Sequence, residues 1–180
     1  MAKKLEDYIP VVAESGINSG KNGTLSGILA FTGANTHAGL EVFSGGMTIT
    51  GPVAENSEIV LATNVITASE FGKTFYLDAA AGFLSTLPAP ALGGYFKFVV
   101  RTAPTSVGYT IATTSSANII KGMMVERAGG AGVSSAVGDL VTLVANQAIA
   151  GDWLEFSSDG TSWFVHGMVD VAAGVTIGST

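Results

Sequence analysis

Gly151–Gly167 reads GDWLEFSSDGTSWFVHG, and its interpretation decides the fold. Two runs of strand-favouring residues, Trp153–Phe156 and Trp163–His166, flank a polar segment centred on Asp159-Gly160. Asp-Gly is a strong turn signal, because Asp caps the turn through its side chain and Gly accepts a positive φ. Alternation sets Leu154 and Phe156 on one face against Trp153 and Glu155 on the other, then Trp163 and Val165 against Phe164 and His166. The stretch is expected to be a β-hairpin whose serines and aspartates serve the turn. A Ser-His-Asp site needs a constrained nucleophile elbow, a base in reach and an oxyanion hole, and no G-x-S-x-G elbow occurs in the chain.

The same texture extends to both sides. Between residues 69 and 180, candidate strands recur roughly every 10–15 residues with Gly, Pro, Asn or Ser between them, the spacing of sandwiches and barrels. They are KTFYLD, GYFKFVVRT, GYTIAT, ANIIKGMMV, DLVTLVA, DWLEFS, SWFVHG and DVAAGVTIG. In STLPAPALGG, Pro88 and Pro90 lack the ladder donor and mark a rigid connection. AAAGFL, at Ala79–Leu84, has the composition of a single helical turn, and the Gly-rich ERAGGAGVSSAVGD reads as a loop. The expectation is an all-β antiparallel sandwich or barrel, jelly-roll-like, over 69–180.

Upstream the texture thins. Residues 21–68 read as a small β-hairpin region, with LEVFS-GG-MTIT as a hairpin about Gly45–Gly46 and SEIVLATNVITA as one or two further strands. Phe31 and Phe43 are its only large aromatics, too thin a core for about fifty residues on their own. Phe31, Leu40 and Phe43 are therefore expected to pack between subunits of a homo-oligomer. Residues 1–20 read as an extended N-terminal arm in which Leu5, Tyr8, Ile9, Val11 and Val12 are apolar anchors for a partner's surface.

Composition narrows the function. Hydrophobic residues make up 47 % of the 180, charged residues only 12 %, and the formal net charge is −6. So few charges suit a chain with much of its surface covered by other subunits. Eight Lys and Arg, unclustered beyond Lys3–Lys4, do not match a phosphate backbone, so no nucleic-acid partner is expected. No 18-residue apolar run indicates a membrane span, and no signal peptide is evident at the N-terminus. With no cysteine and two histidines, His37 and His166, no metal or other cofactor is expected. Asp139, Asp152, Asp159 and Asp170 read as turn and strand-end residues rather than as a paired-carboxylate site.

Over residues 73–168 the chain resembles the β-rich domain of tailed-bacteriophage virion proteins, the capsid decoration (cement) proteins and head fibres. The resemblance is carried by Leu77, TLPAP at Thr86–Pro90, the aromatic strand from Tyr95, GDW at Gly151–Trp153 and SDGTSW at Ser158–Trp163. It implies a non-enzymatic homotrimer on the outer surface of an icosahedral shell, with the major capsid protein as partner. The alternative is a receptor- or glycan-binding fibre or tail component, with Trp153, Tyr109 or Trp163 as an exposed stacking face.

Overall fold

The computed structural model describes residues 55–127 and 132–179, with the backbone alone over 132–136. Among these residues twelve strands form two packed sheets. The strands are β1 (Ser57–Val60), β2 (Asn64–Val65), β3 (Lys73–Leu77), β4 (Phe83–Thr86), β5 (Tyr95–Val100) and β6 (Tyr109–Ala112). They continue as β7 (Ile120–Glu126), β8 (Gly132–Gly138), β9 (Leu140–Leu143), β10 (Trp153–Ser158), β11 (Trp163–Val169) and β12 (Val175–Gly178). The larger sheet has the order β1-β3-β5-β10-β11-β7-β8 and the smaller β12-β9-β6-β4-β2. The only helical pieces among the described residues are two single 3₁₀ turns, Ala68–Glu70 and Ala172–Gly174.

The fold is an all-β sandwich, but its sheets are mixed where wholly antiparallel pairing was expected. Strands β1 to β7 alternate strictly between the two sheets, so each returns to its own sheet pointing the same way. Hence β1–β3 and β3–β5 pair in parallel on one side, β2–β4 and β4–β6 on the other. This is a coil of two strands per turn, not a jelly roll or a closed barrel. The hairpin β10–β11 then inserts between β5 and β7, antiparallel to β5 and parallel to β7. The two first strands lie before residue 69 yet belong to these sheets, so the sandwich takes in residues assigned by sequence to the small upstream region.

The core is where alternation placed it. Phe75, Phe96, Phe98, Phe156 and Trp163 are fully buried on the inner face of the larger sheet. Their rings meet at stacked, tilted and edge-on angles, with centroids 5.3–6.5 Å apart. Such packing satisfies the ring quadrupoles as well as the area burial. Opposite them stand Tyr109, Ile111, Val141 and Leu143 of the smaller sheet, also buried. Trp163 donates its indole N–H to the Pro88 carbonyl at 3.3 Å, which ties the proline connection to the core.

The opening hairpin forms as its residues dictate. Asp159 Oδ1 accepts from the backbone N–H of Thr161 and of Ser162, each at 2.8 Å, and Gly160 takes φ +95°. AAAGFL, in contrast, does not make a helical turn: Phe83–Thr86 is β4, with Phe83 buried at 8 % exposure.

Candidate interaction surface

Residues paired across neighbouring strands project on the same face of a sheet. Reading the registers across the larger sheet gives the rows of its outer face. One row runs Ile59, Tyr76, Val99, Trp153, Met168, Val125 over six consecutive strands. All six are apolar or aromatic, and at about 4.8 Å per strand the row is about 24 Å long. Ile59, Met168 and Val125 are exposed at 50, 42 and 47 %, while Tyr76, Val99 and Trp153 are half-buried among their neighbours.

The smaller sheet serves as an internal comparison. Its outer row reads Thr176, Thr142, Thr110, Leu84. Thr142 and Thr110 lie with their hydroxyls 3.2 Å apart. The two rows differ: three of the four side chains in the smaller sheet's row are threonines, whereas all six in the larger sheet's row are apolar or aromatic.

Polar rows border the apolar one. On one side Lys97 and Glu155 pair at 3.2 Å, and Lys97 Nζ sits 5.1 Å from the centre of the Trp153 ring. Burial, a hydrogen bond with Glu155 and its negative charge push the Tyr95 hydroxyl up to about 12. On the other side, the residues just beyond four strand ends form two ion pairs, Arg101–Asp78 at 2.9 Å and Arg127–Asp170. A shallow groove of about 480 Å³ lies along the apolar row, walled by Met123, Val125, Trp153, His166 and Met168.

The structure separates the other candidate residues. Tyr109 and Trp163 are core residues, which removes them as stacking faces; Trp153 alone of the three reaches the surface. Asp159 is a turn residue, and its hydrogen bonds from Thr161 and Ser162 hold its carboxyl below the usual carboxylate range. Asp152 borders a smaller cleft of about 190 Å³ beside Asp170 and Arg127. Burial raises the Asp152 pKa, but its two oxygens accept from the backbone N–H of Ile149 and of Asp170, a structural use of both. His166 is exposed on the outer face, and no three His, Asp or Glu side chains among the described residues converge on a metal position. Leu5, Tyr8, Ile9, Val11, Val12, Phe31, Leu40, Phe43 and His37 lie outside the described residues.

Sequence reasoning marked each strand of this surface but not the surface itself. The signal was available in Val99 and Trp153, apolar residues at outward positions of the strands from Tyr95 and Trp153. Without the register, nothing aligned them into one row. No protein-family model matches the chain, and no curated protein is detectably similar to it.

Proposed function

We propose that the protein is a structural component of a phage virion: a decoration protein that binds the outer surface of the head and stabilises it as a trimer, without enzymatic activity. The observation that carries this reading is the apolar row of six side chains on a solvent-facing sheet. A domain with a complete internal core has no use for such a row unless another protein surface covers it. The low charge of the chain and its resemblance to decoration proteins over 73–168 support the same reading. An acidic chain is suited to the outside of a shell packed with DNA, where its net charge of −6 does not compete for phosphate counterions. Many modest contacts repeated around a trimer would hold it to the shell by avidity.

Cosedimentation with heads lacking the protein tests this, comparing the full chain with one missing residues 1–20. Saturable binding that is lost on truncation is the expected result and would locate the coat contact in Leu5, Tyr8, Ile9, Val11 and Val12. A second reading, recognition of a receptor or glycan by a fibre component, is favoured by one observation. Trp153 is half-exposed beside Lys97, Glu155 and His166, which together offer a stacking surface with polar groups at its edge. Binding to host cells but not to heads would establish that reading instead.

A further inference from the structure

We infer that the outer face of the larger sheet is where copies of this chain meet one another. The inference takes only the number of copies from the trimer reading above; the choice of surface rests on three observations of its own.

The first is anatomy. Protein interfaces have an apolar centre and a polar rim. Here the centre is the row from Ile59 to Val125, and the rim is Lys97–Glu155 on one side and Arg101–Asp78 with Arg127–Asp170 on the other.

The second is charge. Copies of a chain carrying −6 repel one another unless they approach through a surface free of that excess. On this face and its rim the four cations Lys97, Lys121, Arg101 and Arg127 stand beside five anions, Glu155, Asp78, Asp170, Glu55 near Tyr95 and Asp159 near Lys121, so the face holds little of that excess. Glu155, Asp78 and Asp170 are each already paired with a cation, so two copies can close over these groups without uniting like charges.

The third is area. Six strands by three rows span about 30 by 20 Å including the side chains, about 600 Å² on each copy. Covered by a neighbour, that approaches the 1,200 Å² or so where specific interfaces begin. A single extended peptide laid along the row would cover about half of it, and a sugar ring would cover less. In a trimer, three such faces turned toward the axis would each be shared between two neighbours and bury about 1,800 Å² in all.

The test is a light-scattering mass of the full chain, of the double variant Val125→Lys with Met168→Lys, and of Leu84→Lys on the opposite sheet. All three substituted side chains are exposed, so none leaves a cavity in the core. The wild type and Leu84→Lys are expected at about three times 18.2 kDa. The double variant is expected at the single-chain mass, with association weakened at least about a hundredfold by two charges placed in an apolar contact. Dilution should also shift the Trp153 emission to longer wavelength, and Trp153→Phe should abolish that shift. A wild-type monomer overturns the inference, as does a double variant that stays assembled. If the assembled variant instead loses binding to heads, or to a panel of glycans, the face belongs to the coat or to a sugar. Failure of the wild type to bind heads, with the double variant still dissociating, would remove the decoration reading and leave this one standing.

Discussion

The Tyr109 hydroxyl is the most heavily engaged side-chain polar group in the core. It lies 2.8 Å from the carbonyl oxygens of Ala79 and Thr102 and accepts from the Ala79 N–H, also at 2.8 Å. The bonds tie β6 to the connection between β3 and β4, and a phenylalanine would leave that half-buried N–H without a partner. Tyr109→Phe is expected to lower stability by about 1–3 kcal/mol in denaturant titrations, with an unchanged slope. Tyr95, on the outer face, makes a different prediction. Its folded pKa is raised to about 12, so between the ordinary tyrosine value near 10 and about 12 the folded state holds a proton that the unfolded state releases. Its contribution to stability is therefore complete below about pH 10 and is lost as the pH rises through 12. Absorbance titration of the wild type against Tyr95→Phe should show one late-titrating phenol missing from the variant; a normal titration in both would remove the Glu155 interaction as its cause.

At the level of strands and turns, two glycines carry requirements that can be tested separately. Gly160 adopts φ +95° in the β10–β11 turn, where Gly160→Ala should cost about 1–2 kcal/mol in backbone strain. Gly122 in β7 is constrained by space: a Cβ there would come within 1.9 Å of the Val165 carbonyl oxygen on β11. Gly122→Ala must part β7 from β11 or shift one along the other, and should destabilise more than Gly160→Ala when the two are unfolded side by side. The turn also has an acid signature. Asp159 is held below its ordinary pKa, so its contribution is present above that value and is lost as the pH falls through the lower, folded one. Asp159→Asn should flatten the acid limb of the stability profile. These local features were legible in the sequence, because Asp-Gly between alternating runs has few other meanings. The strand pairing was not. Loops such as Leu61–Thr63, between β1 and β2, have a length compatible with a hairpin, yet they carry the chain from one sheet to the other. Phe83–Thr86 and Gly132–Gly138 carry no strand signal of their own either, since FLST is short and GVSSAVG has the small residues of a loop. Both become strands because neighbours supply their ladders, β4 between β2 and β6, and β8 along β7.

For the molecule as a whole, the question is whether the sandwich needs the residues that precede it. Its buried cluster runs from Val60 to Val175 and draws on both sheets. One lateral opening between the sheets is bridged near Asp139, whose N–H donates to the Gly178 carbonyl at 2.9 Å, where the chain passes from β8 to β9. Thr50–Thr180 accordingly forms one contact unit. A chain beginning at Thr50 should fold by itself and unfold in one cooperative thermal transition. At about 0.7 kcal/mol per residue, the expected enthalpy is about 90 kcal/mol, measured by calorimetry. A broad transition, or one of half that enthalpy, would mean that earlier residues complete the core. The same shortened chain separates the two roles argued for this protein. If copies meet through the Ile59–Val125 row, it should still associate, because the whole row is retained. If the coat is gripped by the apolar residues between Leu5 and Val12, it should no longer sediment with heads. Association without head binding would then assign self-contact to the sandwich and attachment to the residues before it, whereas a folded monomer would place the contact between copies in those earlier residues.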